Sequence, residues 1–600
     1  MCGIVGFVST QKRPELIEKL TLELSHRGPD KQSYEIINVE NKYLHLGSSR
    51  LSIRDLKDGN MPMKNSDNNQ IIYNGEIFNF SELKKLYNET NLKSDTRLIL
   101  EILSNSESIP MFNGMYAYAF YKNKEKKIFL SRDRFGIKPL YYSQLKDFPL
   151  IFSSELSTFK NKEFKFLTIA EQEIKNYIYF GGFTNYSEPL LGVKKIQPGS
   201  SFIFDISSLA TSVENCKTID TNHNDENFNF KNTFINVVSD HLDADTDVDI
   251  LLSGGIDSSL LALVTKNELN KNVRTFSLGF DNEKFDESSK SFYIANKLNF
   301  QHEQIIFKQK EINDIIKEFL NLTSEPVGDP SIIPSYYLYK NVSRHTKAVL
   351  SGDGADEMFL GYEWHRAAII QKNKILKKIF GNRVLKSLAQ STTKGSDRLY
   401  KYRKFFETID KDIYTQILFW QNVNIEEQSQ QLIYEKFIDC LNIQKNDFYN
   451  NLKKLDLAFY LSTNILPKAD IGSMLNGLEV RPPYLDDRIL HYSFNNQVKK
   501  SLLKYFTHSK SELRDLLSAY TSKKFTQQSK KGFSPDFEYW DKTSALELLR
   551  KYSNDIEIIS KFLKMYENSN DFYYQTRELW KFYSIFQWIE NKNLDIANEN

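Results

Sequence analysis

The sequence predicts an α/β chain of two domains: an N-terminal sandwich of antiparallel sheets, then a doubly wound parallel sheet with extra helices. Three observations carry that prediction. Short β-rich runs fill residues 1–205, a polar stretch without periodicity occupies 211–228, and beyond it apolar strands alternate with helical patterns. The expected boundaries are a first domain over 1–210, a polar linker over 211–228 and a second domain over 229–600.

In the first domain IVGFV, YLHLGSSRLSI, QIIYNGEIF, MYAYAFY, KIFLSRD, LIFSSEL and SFIFDI alternate Val, Ile, Phe and Tyr with polar residues, the pattern of half-buried strands. Helical spacing predicts helices over 15–25, 81–87 and 95–103. TSVENCKTIDTNHNDENF fits neither period and reads as the linker. In the second domain VDILL runs into a Gly-rich turn and SSLLALVTKNEL, followed by TFSLGF, a helix over 288–298, EQIIF, a further helix and KAVLSGDG. Such alternation argues a parallel sheet whose ligand site lies beyond the carboxyl ends of its strands. From about 362 onward the pattern is helical, with no repeat at solenoid periods.

Charged residues are 26% of the chain and the net charge is +2, so no strong field points to nucleic acid or an anionic membrane, and neither is an expected partner. Cys2, Cys216 and Cys440 are far apart and lack the CxxC pairs of zinc or redox sites, which favours a reducing compartment over a disulfide framework. Nothing resembles a basic and apolar leader, and no run approaches the ~18 apolar residues that span a bilayer. The chain is therefore expected to be soluble and cytoplasmic.

LLSGGIDSS (251–259) stands between a strand and a helix. Its glycines let backbone approach an anion, the helix N-terminus presents free N–H groups, and Ser253, Ser258 and Ser259 add hydroxyl donors, so a phosphate would be held there. No lysine follows the glycines, unlike the GxxxxGKS/T loop of common nucleotide hydrolases. The pattern is the SGGxDS of ATP pyrophosphatases, which cleave between α and β phosphates and leave an adenylated intermediate. LSGDGADE (350–357) ends a later strand. With both loops at the carboxyl edge of one sheet, Asp257 and Asp356 would converge on magnesium, which takes carboxylates and phosphate oxygens.

The opening MCGIVGF leaves two readings of Cys2. As the start of a strand it is a small buried hydrophobe. As the residue exposed by removal of Met1 it is a nucleophile whose own α-amine, reference pKa ~7.7–8.0, lies close enough to the thiol's ~8.5 to serve as its base.

Read in order, CGIVGF, HRGPD (26–30), RLSI (50–53), YNGEIFN (73–79), SDT (94–96), RDRFGIKPLYY (132–142), SSE (153–155), LSGGIDSS, SGDGADE, LPKAD (466–470), GLEVRPPYLD (477–486) and KKGFSP (530–535) cover nearly the whole chain. Together they resemble the glutamine-dependent asparagine synthetases, class II amidotransferases with an N-terminal nucleophile fused to an ATP pyrophosphatase synthetase domain. The resemblance implies an Ntn-hydrolase αββα sandwich in the first domain and an adenine nucleotide alpha hydrolase-like sheet in the second. It makes Cys2 the nucleophile on the glutamine side-chain carbonyl and Asn74 with Gly75 the oxyanion hole. Arg50, Asp95 and Glu76 then grip the glutamine's α-carboxylate and α-ammonium, since a guanidinium takes a carboxylate bidentately and an aspartate suits an ammonium.

In the second domain the resemblance implies ATP on Ser253, Gly254, Gly255, Asp257 and Ser258 with Ser351 and Gly352, and magnesium on Asp257 and Asp356. Lys468 would neutralise charge developing on the phosphates, and Asp353 would be the base for incoming ammonia. The acceptor carboxylate attacks the α-phosphorus, and ammonia from the first site, carried through an internal and largely apolar passage, displaces AMP. Expected ligands are glutamine, ATP, magnesium and a carboxylate acceptor, and a homodimer is allowed. Three stretches depart from the family pattern: GNMPM (59–63), DEMFLGYEWHR (356–366) and ADIGSML (469–475). None removes a catalytic group, but the last two lie near the expected acceptor and phosphate pockets. Aspartate, through a β-aspartyl-AMP intermediate, is the first acceptor reading; another carboxylate, such as a sugar uronic acid in surface-polysaccharide assembly, is the alternative.

Overall fold

A computed structural model describes residues 1–89, 91–215, 229–282, 288–373, 447–495, 509–522, 539–568 and 572–597, with the single positions 286, 405, 416, 417, 420, 525 and 537. Cys216, Cys440, the KKGFSP motif and residues 216–228 of the expected linker lie outside the described residues.

The first domain follows from alternation along its strands. β1 (Cys2–Ser9), β2 (Lys31–Val39), β3 (Lys42–Arg50), β4 (Met63–Lys64), β5 (Gln70–Ile77), β6 (Gly114–Lys122), β7 (Lys127–Arg132), β8 (Tyr141–Ser143) and β9 (Leu150–Ser153) precede β10 (Thr168–Ala170), β11 (Lys194–Lys195), β12 (Ser200–Asp205) and β13 (Thr211–Asn215). They form one sheet in the order β11-β8-β9-β1-β3-β2 and a second in the order β13-β12-β7-β6-β5-β4, with antiparallel neighbours. In β1, Val5 and Phe7 join the core of the helix Pro14–Glu23 through Ile17 and Leu20. Cys2, Ile4 and Val8 join Ile71, Tyr73, Tyr118 and Phe120 of the other sheet. The two-residue period of a strand therefore carries Cys2 between the sheets. Outside the second sheet the helix Asp95–Asn105 contributes Leu98, Ile99, Ile102 and Leu103. The layers are helix, sheet, sheet, helix.

The helices expected over 15–25, 81–87 and 95–103 form as Pro14–Glu23, Phe80–Leu86 and Asp95–Asn105. The linker needs a correction. Residues 211–215 are β13, paired with β12 as the edge of the second sheet. Thr211 and Ser212 are exposed, and an edge strand facing water reads like a loop in sequence.

The second domain is a five-stranded parallel sheet of β14 (Val248–Leu251), β15 (Arg274–Phe280), β16 (Gln301–Phe307), β17 (Ala348–Leu350) and β18 (Glu479–Arg481), ordered β16-β15-β14-β17-β18. The chain walks outward from β14 to β16, then returns to the other flank of β14. The strand order thus reverses between β14 and β17, and both glycine loops leave the sheet there, where ligands of such sheets bind. The helix expected over 288–298 is Ser288–Leu298.

The halves share cores. One cluster joins Val5, Phe7 and Tyr177 to Phe319, Trp580 and Trp588; another joins Met1, Leu51, Phe78, Met115, Phe135 and Ile137 to Ile465, Leu466 and Tyr484. β19 (Asp595–Ala597) pairs in parallel with β10, and Tyr177 Oη lies 2.9 Å from Ser584 Oγ. No helix among the described residues is long and apolar enough to cross a membrane.

Candidate functional site

The first centre forms where β1 begins. Register sets Cys2 opposite Arg50, and the Cys2 N–H donates at 3.0 Å to Asn74 Oδ1 of β5 on the facing sheet. That bond commits the carboxamide oxygen. Asn74 Nδ2 is left fully buried without a hydrogen-bond partner among the described residues. A buried unpaired donor costs ~1–3 kcal/mol, so this amide is held ready for an acceptor that arrives with a ligand. At Gly75 a Cβ would stand 2.2 Å from Met115 O and 2.7 Å from Tyr116 Cα, so only glycine lets β5 lie this close to β6.

Arg50 is buried, and its guanidinium donates to Asn60 Oδ1 at 3.1 Å, Arg54 O at 3.1 Å and Asp55 O at 2.6 Å. Neutral partners orient the charge without discharging it. Asp95 begins its helix behind the capping Ser94; its Oδ1 accepts from Thr96 N–H at 2.7 Å, while Oδ2 is buried without a well-formed hydrogen bond. An amino acid's carboxylate and ammonium would complete both groups. Glu76 is placed differently: one oxygen accepts from Arg54 Nε at 2.7 Å and the other faces Arg481 Nη2 at 3.3 Å, so both are engaged by arginines. Burial pushes the Cys2 thiol up from its ordinary value, against the Met1 ammonium, the Leu51 backbone and Arg50, which draw it down.

From here a chain of buried charges crosses into the second half. The Met1 ammonium sits 3.0 Å from Glu479 Oε2 on β18, both inaccessible to water. Glu479 Oε1 accepts from Arg481 Nε at 2.5 Å, and Arg481 donates to His241 O at 2.8 Å as well as facing Glu76. Burial alone would raise Glu479, but the Met1 ammonium, Arg481 and Lys138 hold it below the usual carboxylate range. Arg27 bridges Glu155 at 3.2 Å and Asp470 at 2.8 Å, and Lys138 adds a pair to Asp470 at 3.3 Å. Residues of HRGPD, GIKPL, SSE, LPKAD and GLEVR are thus the ionic joint between the halves.

The second centre lies at the switch point. Ser253 N–H donates to Ser258 Oγ at 3.2 Å and the two hydroxyls lie 3.0 Å apart, which closes the loop. Gly254 takes a φ of +75°, and a Cβ there would meet Ser291 N at 2.6 Å. Gly255 precedes the helix Ile256–Asn267, which no side chain caps. Gly352 of the other loop lies so close that a Cβ would stand 2.9 Å from Asp257 Cβ. Ser351 N–H donates to Arg481 O at 2.9 Å, and Ser351 Oγ to Asp353 Oδ2 at 2.8 Å.

Asp257 and Asp356 do converge, and a lysine stands at the meeting point. Lys510 Nζ contacts Asp257 at 2.7 and 2.6 Å and Asp356 at 2.6 Å. Two carboxylates within reach of one cation fit magnesium, which completes its shell with phosphate oxygens and water. Among the described residues no group of three or more His, Cys, Asp or Glu forms a metal site by itself. Lys468 sits elsewhere, 3.1 Å from Ser331 Oγ and 3.4 Å from Asp329 Oδ2. Burial would raise Asp329, yet Lys468 and Arg577 keep it at about 2. Immediately before the helix that bears Lys468, the chain forms a π-helix over Leu457–Ile465, a geometry frequent at functional sites.

Sequence reasoning missed Lys510, Glu479 and Arg481. Lys510 lay among 79 basic residues with no motif around it, whereas Glu479 and Arg481 were inside GLEVRPPYLD and needed only the question of what they pair with.

Comparison with known proteins adds two family matches and two relatives. The asparagine synthase family model matches residues 229–590, and that of the glutamine amidotransferase domain matches 1–213. Asparagine synthetase (glutamine-hydrolyzing) 1 of Bacillus subtilis strain 168 is 28% identical over 92% of this chain and 89% of its own length. Putative asparagine synthetase (glutamine-hydrolyzing) 2 of Methanocaldococcus jannaschii is 31% identical over 79% of this chain and 98% of its own.

Proposed function

Since the chain belongs to the asparagine synthase family and bears a glutamine amidotransferase domain, we propose that it releases ammonia from glutamine at Cys2 and spends ATP to amidate aspartate. The products are asparagine, glutamate, AMP and pyrophosphate. The observation that carries this reading is Asn74, whose oxygen is tied to the Cys2 backbone while its buried Nδ2 stays unpaired.

Removal of Met1 gives Cys2 a free α-amine, which takes the thiol proton as Sγ attacks the glutamine carboxamide. Asn74 Nδ2 and the Gly75 N–H receive the oxyanion; one such donor is worth ~2.7–4 kcal/mol in the transition state. Arg50 holds the α-carboxylate and Asp95 the α-ammonium, with Glu76 fixing Arg54 beside them. Collapse releases ammonia and leaves a thioester, which water hydrolyses to glutamate. Ammonia must cross unprotonated, and the apolar side chains of Leu51, Met115, Phe135 and Ile137, continuous with Ile465 and Leu466, support such a route.

At the second centre the backbone and hydroxyls of Ser253 to Ser258, with Ser351 and Gly352, bind the ATP phosphates. Magnesium on Asp257 and Asp356, when bound, neutralises phosphate charge. The acceptor carboxylate attacks the α-phosphorus and pyrophosphate leaves, assisted by Lys468. Ammonia then displaces AMP from the acyl-adenylate, and Asp353 accepts the surplus proton.

A screen of carboxylates for pyrophosphate release with ATP, magnesium and glutamine tests this. Aspartate is expected to turn over, and mass spectrometry of the mature protein to find Cys2 first. A second reading changes only the acceptor. Tyr362 and Trp364 stack at 4.0 Å between centroids where the family pattern is broken, an aromatic surface suited to a sugar ring. Turnover of a uronic acid with none of aspartate would select it.

A further inference from the structure

Lys510 stands just before the helix Ser511–Ser518 in a left-handed backbone conformation, φ +57°, with its side chain only 5% exposed. An ammonium has three N–H donors. Here they meet three carboxylate oxygens, Asp257 Oδ1 at 2.7 Å, Asp257 Oδ2 at 2.6 Å and Asp356 Oδ1 at 2.6 Å. The stem reaches them across Gly361, where a Cβ would lie 2.3 Å from Lys510 Cε and 1.9 Å from Asp356 Oδ1. The acids are themselves anchored: Tyr484 Oη donates to Asp257 O at 3.0 Å, and Gly361 N–H to Asp356 O at 2.8 Å.

A divalent cation drawn to the same two carboxylates would stand beside the ammonium, and the two positive charges would repel at that distance. Two buried carboxylates without any cation would repel, which the lysine prevents. Ejecting that lysine requires a new anion for it, because a buried charge left unpaired is strongly destabilising. The phosphates of a nucleotide, seated on the loop from which Asp257 begins its helix, supply that anion within reach of a four-carbon stem.

We propose that Lys510 is an exchangeable counter-ion: it holds Asp257 and Asp356 together in the nucleotide-free protein, and yields them to the divalent metal by moving onto the nucleotide phosphates. Metal binding is thereby conditional on nucleotide. This rests on the nucleotide site of the proposed function, and adds a positioning role that keeps the acids from collecting metal alone.

Mn2+ is the probe, its uptake by the full-length protein read from the EPR signal of the free ion. For the wild type, Mn2+ affinity without nucleotide is expected to be weaker than with an α,β-methylene ATP analogue by at least about tenfold, within the usual range of coupled sites. Lys510→Met should gain Mn2+ affinity without nucleotide by a similar factor and show a thermal midpoint that Mn2+ alone raises, while Lys510→Arg keeps Mn2+ out. Equal Mn2+ affinity of the wild type with and without the analogue overturns the proposal, whether or not Lys510→Met folds. Equal nucleotide-free affinity of wild type and Lys510→Met does the same. If the wild type binds the analogue but Mn2+ is indifferent to it, only the counter-ion role falls; if it binds no analogue at all, the nucleotide reading falls with it.

Discussion

Around Cys2 the polar groups are oriented by neutral neighbours and left with capacity to spare, whereas at the glycine loops the charged groups are paired with one another. Arg50 rests on two carbonyls and an amide, and Asn74 Nδ2 has no partner among the described residues; Asp257 and Asp356 are both paired with Lys510. The difference follows from the ligands. A glutamine side chain is neutral where it reacts, so its site can be built finished in the seam between two antiparallel sheets. In the proposed reading a nucleotide brings several negative charges and calls for a metal, which matches a site whose own charges are held in pairs.

That contrast can be broken at several points. The largest effect is expected from Cys2→Ala, which removes the proposed nucleophile of the first centre. Glutamate release should fall to background while amide formation with added ammonium survives, and loss of both would end the division into two centres. Arg481→Met attacks the joint instead. It leaves Glu479 and Glu76 buried without this partner, and breaking a buried pair costs about 3–5 kcal/mol, so thermal unfolding should shift well down. Asn74→Ala tests the finished site itself, with a fall of about 2.7–4 kcal/mol in transition-state stabilisation of glutamine hydrolysis and the ammonia-dependent reaction unchanged. A similar loss in both reactions would mean that Asn74 serves the fold rather than the oxyanion.

The effect that builds most gradually concerns pH at the joint. His241 stacks on Phe78 at 3.5 Å between centroids, its Nδ1–H donates to Val237 O at 2.8 Å, and its Nε2 is buried without a partner among the described residues. Burial pushes it down to about 3, against the pull of Asp486. The unfolded chain therefore binds the proton more tightly, and stability present above pH ~6.5 is lost as pH falls toward 3, by at most ~1.4 kcal/mol per unit. His241→Phe keeps the stacking and lacks the proton site, so denaturation midpoints of wild type and variant should diverge below pH ~6.5 and stay parallel above it.

Much of the first centre was legible because its residues lie in ordered motifs on strands of period-two pattern; strand pairing then sets Cys2 opposite Arg50, and the packing of the two sheets brings Asn74 to Cys2. The switch point was legible because both glycine loops end apolar strands. What stayed hidden is of two kinds. β13 and β18 are short, and β13 exposes Thr211, Ser212 and Val213, so no apolar alternation marks it. Lys510, Glu479 and Arg481 act through partners far away in the chain, and no local period records a partner. Glu76 shows the same limit, since its motif suggested a ligand contact and its oxygens went to Arg54 and Arg481.

The shared cores also govern what a cut chain would do. Suppose the backbone were severed once between residues 215 and 229. The fragments would still be held by the Arg27–Asp470 and Lys138–Asp470 pairs, by the β10–β19 ladder and by the apolar contact of Leu51, Phe78, Met115, Phe135 and Ile137 with the larger piece. They would travel through purification as one particle. Either piece expressed alone would carry that bared apolar face and would call for its complement, or a chaperone, to stay in solution.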